Sequence, residues 1–288
     1  MAARDITFGY FLIPNAADPL LETASEVESL GLEYVAIQDH PYQRRFVDTF
    51  TLMSAILART TTLRVFPDVA SLPLRPPGVL AKTAASLDVL SGGRFELGLG
   101  AGAFWDAIEG YGGTRRRPGE SLDQLAEAIE VIRKLWSGER GLRYEGDYYH
   151  LRGVHSGPLP VHDIGIWVGA YGPRALGLVG RLADGWVPSI HGETVAKLAE
   201  MNDRVDAGAA EAGRDPDSIR RVYNVNGVIT DGTSEGFLRG PVNQWVDEIA
   251  RLVTEFRGQT FVFWGDGKDQ LRRFAEDVVP ATRSALGG

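Results

Sequence analysis

Short apolar runs alternate with helical patterns along the whole chain. Runs that are almost continuously apolar are typical of parallel strands buried on both faces. A helical pattern follows each run, and the one after residue 100 has apolar residues at helical spacing from Leu122 to Leu135. The predicted strands cover residues 6–13, 34–38, 63–70, 94–100, 164–170, 185–189, 220–229 and 260–265.

Two helix boundaries carry specific signals. Asp18 is the expected N-cap of the first helix, with Pro19 in its first position and Gly31 beyond its end. The pair Gly92-Gly93 is expected to end the helix between the third and fourth strands.

Eight strand–helix units without a dividing linker predict an α/β fold, a single (β/α)8 TIM barrel. We expect one domain over residues 1–288, with an insert at about 138–163 after the fourth βα unit. A doubly wound sheet remains an alternative, although it usually needs fewer units in each domain.

Composition narrows the classes of function. The chain has 288 residues and a formal net charge of −8, which disfavours binding to nucleic acid. It has no cysteine, so disulfides and cysteine-ligated metals are excluded and a reducing cytoplasm is permitted. We expect a cytoplasmic protein without a membrane partner, because no signal-peptide pattern or long apolar run is present.

The stretch RFELGLGAGAFW, residues 94–105, looks like a dinucleotide-binding fingerprint, since Gly98, Gly100 and Ala103 spell G-x-G-x-x-A. In a Rossmann domain such a turn closes the first βα unit, whereas here it closes the fourth. Gly102 also makes the turn looser. At the end of a barrel strand, these glycines are expected to let the backbone approach a flat ligand.

Four segments resemble the luciferase-like monooxygenase superfamily of flavin- and deazaflavin-dependent barrels: residues 34–41, 71–102, 168–189 and 240–281. The pair Asp39-His40 resembles the branch that uses coenzyme F420. The resemblance implies a homodimeric F420-dependent oxidoreductase that transfers a hydride to or from a small organic substrate. An FMN-dependent monooxygenase with a separate reductase is the alternative, and a non-catalytic barrel that binds a cofactor is a third hypothesis.

The resemblance also implies site residues. Asp39 and His40 are the expected catalytic pair, with Asp39 also facing the cofactor, because hydride chemistry usually moves a proton as well. Alternatively, His40 only caps a strand end and is satisfied by Asp39. Asp68 and Val69 are expected to be joined by a non-proline cis peptide that forms a bulge behind the central ring of the cofactor.

Cofactor contacts are further implied at two glycine-rich turns, where Pro173 would begin a helix whose N-terminus binds phosphate. The residues concerned are Gly100, Ala101, Gly102, Gly169, Ala170, Tyr171, Gly172, Pro173 and Arg174.

The sequence departs from F420-dependent sugar-phosphate dehydrogenases of the same family. These carry a glutamate directly after the glycine-rich turn and a tryptophan shortly after the Asp-His pair, where this chain has Ala103 and Arg44 or Arg45. The departures argue against a glucose-6-phosphate substrate. Four further histidines show no metal-ligand spacing, so no metal site is expected: His150, His155, His162 and His191.

Overall fold

Ten parallel strand segments curve into a barrel in the computed structural model, which describes residues 6–287. A separate antiparallel hairpin and a short parallel pair complete the strands. In chain order the strands are β1 (Thr7–Leu12), β2 (Tyr34–Ile37), β3 (Arg64–Pro67), β4 (Ala70–Ser71), β5 (Leu97–Gly100), β6 (Leu142–Glu145), β7 (His150–Val154), β8 (Ile166–Val168), β9 (Gly185–Trp186), β10 (Ser189–Ile190), β11 (Arg220–Asn226), β12 (Val228–Ile229), β13 (Arg239–Gly240) and β14 (Thr260–Trp264).

The strand order around the barrel is β3, β2, β1, β14, β11, β9, β8, β5 and β4, and β10 pairs with β11. The circle closes because Val65 of β3 pairs with Phe95 just before β5, and β4 pairs with β5. Three of the expected strands are each split: the third into β3 and β4, the sixth into β9 and β10, and the seventh into β11 and β12, of which β12 leaves the barrel and pairs with β13. The ten segments therefore fill eight strand positions, and the predicted (β/α)8 barrel is confirmed.

Helices cover the outside of the barrel. Within residues 6–287, no helix combines the length and the hydropathy that a membrane span requires. A π-helical turn, Phe274–Val278, joins the last two helices. The helices are α1 (Leu20–Ser29), α2 (Thr49–Arg59), α3 (Pro77–Ser91), α4 (Trp105–Gly110), α5 (Pro118–Trp136), α6 (Pro173–Leu182), α7 (Gly192–Val195), α8 (Leu198–Glu211), α9 (Val242–Thr254), α10 (Lys268–Arg273) and α11 (Val279–Ala285).

One helix start differs from the sequence-based expectation. Helix α1 begins at Leu20 with Pro19 as its N-cap residue, so Asp18 does not cap it. Helix α2 has a side-chain cap for which no prediction was made: Asp48 accepts a hydrogen bond from the backbone N–H of Thr51 at 2.9 Å. The expected stop at Gly92 is present, where the chain turns with a φ of 70°.

Two apolar layers stabilise the barrel. A large core fills the space between the strands and the surrounding helices. Inside the barrel, Trp167 packs edge-on against Phe66, with ring centroids 4.9 Å apart, and lies 5.7 Å from the ring of Tyr34. Each fully buried large apolar side chain contributes about 1.5–3 kcal/mol. The strand ends therefore stand on a filled and rigid interior.

The insert is the hairpin of β6 and β7, which lies between α5 and β8. Its turn is held to α5 by Glu127, whose carboxylate accepts the backbone N–H groups of Asp147, Tyr148 and Tyr149. The hydroxyl of Tyr144 also donates a hydrogen bond to Glu130 of α5 at 2.8 Å, so two carboxylates of this helix attach the hairpin to the outside of the barrel.

Candidate functional site

A cavity of about 690 Å³ lies at the carboxyl ends of the barrel strands. Enzymes with this fold have their active sites at that end, because the βα loops converge there. Most of the sequence-predicted site residues line the cavity, whereas Pro173 and Arg174 do not. Those that line it are Asp39, His40, Asp68, Val69, Gly100, Ala101, Gly102, Gly169, Ala170, Tyr171 and Gly172.

The imidazole of His40 is half-buried at the end of β2 and makes no side-chain hydrogen bond to another described residue. It stacks on Tyr42, with ring centroids 5.3 Å apart, and meets Phe104 edge-on at 5.2 Å. Burial lowers the pKa of His40, and the charge of Asp39 opposes this lowering. The lowered pKa favours the neutral imidazole, and His40 is one of the residues that line the cavity.

Asp39 has a different environment, although it is the next residue. Its Oδ2 accepts hydrogen bonds from the backbone N–H of Ser71 at 2.9 Å and from Nε of Arg75 at 2.8 Å. Its Oδ1 accepts a second bond from Arg75 at 2.7 Å. Arg75 also pairs with Asp48 and lies over the ring of Phe50. The two oxygen atoms of Asp39 thus tie β2 to the turn after β4.

A second carboxyl group, that of Asp68, lies on the wall of the cavity between β3 and β4. Part of the residue faces the cavity, but its Oδ2 atom is shielded and has no hydrogen-bond partner among the described residues. Burial raises the pKa of Asp68 to about 7, and a hydrogen bond from Asn224 opposes the rise. Asn224 lines the same cavity, and its Oδ1 atom is also without a partner in residues 6–287.

The peptide bond between Asp68 and Val69 is cis, as the resemblance implied. The side chain of Val69 points at the glycines of the neighbouring strands. A Cβ atom on Gly100 would lie 2.6 Å from Cγ2 of Val69, and one on Gly169 would lie 3.3 Å from it. A Cβ atom on Gly98 would overlap the carbonyl oxygen of Pro67. The Cβ sides of Gly98 and Gly100 are therefore packed against neighbouring atoms of the barrel, and Gly100 also lines the cavity.

The turn of residues 169–172 leads into α6, and Pro173 begins that helix as expected. The indole N–H of Trp186 donates a hydrogen bond to the carbonyl oxygen of Ala170 at 2.9 Å and holds the turn in place. Arg174 points away from the cavity, with Nη2 2.5 Å from Oδ1 of Asp123. The first-turn N–H groups of a helix are free to bind an anion, whereas Arg174 would first have to leave Asp123.

Among the lining residues that the sequence analysis did not name, three shape the cavity far from the predicted turns. The rings of Phe11 and Trp264 stack with centroids 4.5 Å apart and form one wall, and Asn224 lies inside β11. An amide between the buried residues Tyr223 and Val225 was a usable signal, because a polar residue inside a buried strand needs a partner. Nothing local in the sequence marks the two aromatic residues.

Three comparisons with known proteins bear on this site. A sequence model of the family described as luciferase-like monooxygenase matches residues 7–236. An F420-dependent glucose-6-phosphate dehydrogenase from Gordonia bronchialis is 29% identical over 232 residues, which are 77% of this chain and 68% of that protein. A 5,10-methylenetetrahydromethanopterin reductase from Archaeoglobus fulgidus is 31% identical over 284 residues, 97% of this chain and 77% of that protein.

Among solved structures, an F420-dependent secondary alcohol dehydrogenase in complex with an F420-acetone adduct superposes with a TM-score of 0.85. The match covers 98% of this chain and 99% of that chain at 20% sequence identity. At this identity the likeness concerns the fold.

Proposed function

This chain belongs to the luciferase-like monooxygenase family, and we propose that it is an F420-dependent oxidoreductase. The reaction moves a hydride between the deazaflavin and a small organic substrate. The observation that carries the proposal is the imidazole of His40, which is free of hydrogen bonds and opens into the same cavity as the two glycine-rich turns. The relatives from Gordonia and Archaeoglobus support the choice of F420-type chemistry over FMN-dependent oxygenation.

The residues of the cavity fit a flat ring with polar edges. Its walls are mainly apolar and aromatic, and the residues Asp68 and Asn224 add polar side chains to its lining beside a ring edge. The start of α6 after Gly172 would hold the phosphate of the cofactor. Val69, behind the glycines of strands β5 and β8, would support one ring face.

When bound, the deazaflavin supplies a ring carbon that accepts or returns a hydride. His40 takes the proton of a substrate hydroxyl while the hydride leaves, and returns it in the opposite direction. The rings of Tyr42 and Phe104 hold the imidazole and exclude water beside it. Asp39 acts with His40 by fixing the end of β2, since Arg75 and Ser71 engage both of its oxygen atoms.

The substrate that fits best is uncharged. Among the described residues that line the cavity there is no lysine or arginine to hold a phosphate or a carboxylate of the substrate. The rim carries Phe104 and Tyr171, whose exposed fractions are 58% and 54%. We therefore favour a neutral alcohol or carbonyl compound over a sugar phosphate.

The proposal also includes the domain organisation, the oligomeric state and the cellular location of the protein. The chain forms one domain over residues 1–288, with the insert at about 138–163. It works as a homodimer, for which exposed apolar residues on α3, Val79 and Leu90, offer a contact surface. It acts in the cytoplasm, in keeping with the lack of cysteine in its sequence.

The test of the function is a titration of the apoprotein with F420 and with FMN, followed by anaerobic turnover with F420 and a panel of neutral alcohols and ketones. We expect saturable binding of F420, little binding of FMN, and a change in the absorbance of F420 with at least one substrate. The variant Asp203→Asn alters an exposed side chain of α8 and should bind F420 as the unmodified protein does, so it is the matched control for the aspartate variant described below. Tight FMN binding without F420 binding would overturn the proposal in favour of the oxygenase.

A further inference from the structure

Asp68 is the carboxyl group of the cavity that the proposed mechanism leaves unused. The cavity is lined by the carboxyl groups of Asp39 and Asp68, and no glutamate lines it among the described residues. Asp39 gives both oxygen atoms to Arg75 and Ser71, whereas Oδ2 of Asp68 has no partner in residues 6–287. A buried oxygen atom without a partner is costly, so such an atom calls for a proton or a ligand.

The neighbours of Asp68 explain why it can hold a proton. Besides Asp39, the titratable groups that line the same cavity are His40, Tyr42 and Tyr171. Burial raises the pKa of Asp68 to about 7, and the amide of Asn224 opposes this rise; no lysine or arginine of residues 6–287 contributes to the shift. A buried carboxyl group without a nearby cation keeps its proton to a higher pH than an exposed one.

We propose that Asp68 is the second proton-carrying group of the cavity, which serves the bound deazaflavin while His40 serves the substrate. This inference rests on the proposed function and extends it. The two groups have different roles because their environments shift their pKa values in opposite directions. His40 at the end of β2 is the base, and Asp68 between β3 and β4 is the acid.

The steps balance in the oxidation of an alcohol. The substrate carbon loses a hydride to the ring carbon of the cofactor, and the hydroxyl proton passes to His40. Asp68 would supply the proton that the cofactor takes up together with the hydride, so the cofactor would gain one hydride and one proton in total. His40 then releases its proton to water and Asp68 takes one up, through the open mouth of the cavity, so both side chains return to their initial states.

The first experiment uses the protein without cofactor. Difference infrared spectra across a pH titration should show the carbonyl stretch of a protonated carboxyl group that disappears with a midpoint near pH 7. The band should be absent in Asp68→Asn and retained in Asp203→Asn. In Asn224→Ala the midpoint should move to higher pH, because the amide that lowers the pKa of Asp68 is lost. This second variant keeps the test decisive if Asp68→Asn folds poorly.

The second experiment measures F420 affinity and turnover. We expect Asp68→Asn to bind F420 within about threefold of the unmodified protein, while kcat falls roughly 10²- to 10⁴-fold and KM changes little. A kcat within twofold of the unmodified protein would overturn the inference, as would the lack of a titrating carboxyl band. If F420 does not bind to the unmodified protein, the proposed function fails and the role of Asp68 in proton delivery fails with it. If F420 binds and Asp68→Asn turns over normally, only the role of Asp68 is refuted and the proposed function stands.

Discussion

Two histidines, each near an aspartate, lie at opposite ends of the barrel and are held in opposite ways. His40 follows Asp39 directly in the sequence, yet Asp39 pairs with Arg75 and leaves the imidazole free. His162 is 74 residues from Asp88, yet its Nδ1 lies 2.5 Å from Oδ1 of that residue. The carboxylate of the adjacent pair is therefore occupied elsewhere, whereas the distant pair is in direct contact.

The environments change the two imidazoles in different directions. Burial lowers the pKa of His40, with Asp39 opposing. The carboxylate of Glu96, whose Oε1 lies 3.5 Å from Nε2 of His162, raises the pKa of His162; Asp88 adds to the rise, and desolvation opposes it. The comparison teaches that a histidine is available for chemistry when the nearby carboxylate is occupied elsewhere, and is structural when carboxylates hold it.

The largest effect is expected from removing the free imidazole. His40→Ala should lower turnover with F420 by about 10²- to 10⁴-fold, because the proton of the substrate then has no acceptor. In the unmodified enzyme, the acid limb of the rate profile should lie below the usual histidine pKa of about 6.5. Steady-state rates between pH 5 and 9 check both statements, with His162→Gln as the control that keeps its activity. Turnover of His40→Ala within twofold of the unmodified protein would contradict the catalytic part.

The next effect comes from releasing Asp39. Arg75→Gln leaves a buried carboxylate without its cation and should lower the free energy of unfolding by about 3–5 kcal/mol. Asp39 can then turn toward the imidazole, so the pKa of His40 should rise and the acid limb of the rate profile should move to higher pH. Urea denaturation and the pH dependence of kcat/KM measure the two changes, and Arg75→Lys should restore part of the stability. An unmoved profile would mean that the pairing of Asp39 does not isolate His40.

The smallest effect is expected at the other end of the barrel. His162→Gln should lower the free energy of unfolding by about 1–3 kcal/mol, without a change in turnover. The pKa of His162 is raised in the folded protein, so its stabilisation is complete below about pH 6.5 and is lost as the pH rises through the folded value. The difference between variant and unmodified protein should therefore shrink from pH 6 to pH 9 in urea titrations. If the difference in the free energy of unfolding stays constant over this range, the charge of His162 does not account for its stabilising effect.

Periodicity predicted the fold well, because buried parallel strands are apolar along their whole length. This pattern predicted the eight strand positions and the insert. It did not predict the breaks after Pro67 and Trp186, because apolar residues lie on both sides of each break. The cap of α2 by Asp48 was not predicted. Asp18 before Pro19 has the sequence signal of an N-cap, yet it does not cap α1.

The sequence placed candidate site residues at strand ends, and it gave no information on partners that are distant in sequence. The resemblance to the family implied His40 and the two glycine-rich turns, and barrel geometry puts such strand ends on one face. The partnership of Asp39 with Arg75 depends on a turn 36 residues away, and the proximity of Asp68 and Asn224 on strands far apart in the sequence. Such pairings arise from barrel closure, and no local pattern announces them.

Val69 and the glycines it touches behave as one unit of packing, which limits how this barrel can be redesigned. An engineer who wishes to widen the pocket by trimming Val69 would also open a void above Gly100 and Gly169. One who wishes to narrow it by placing alanine at Gly100 would push against the valine before reaching the substrate. Changes of substrate range are therefore better sought at the exposed rim, around Phe104 and Tyr171, where side chains can be exchanged without moving a strand.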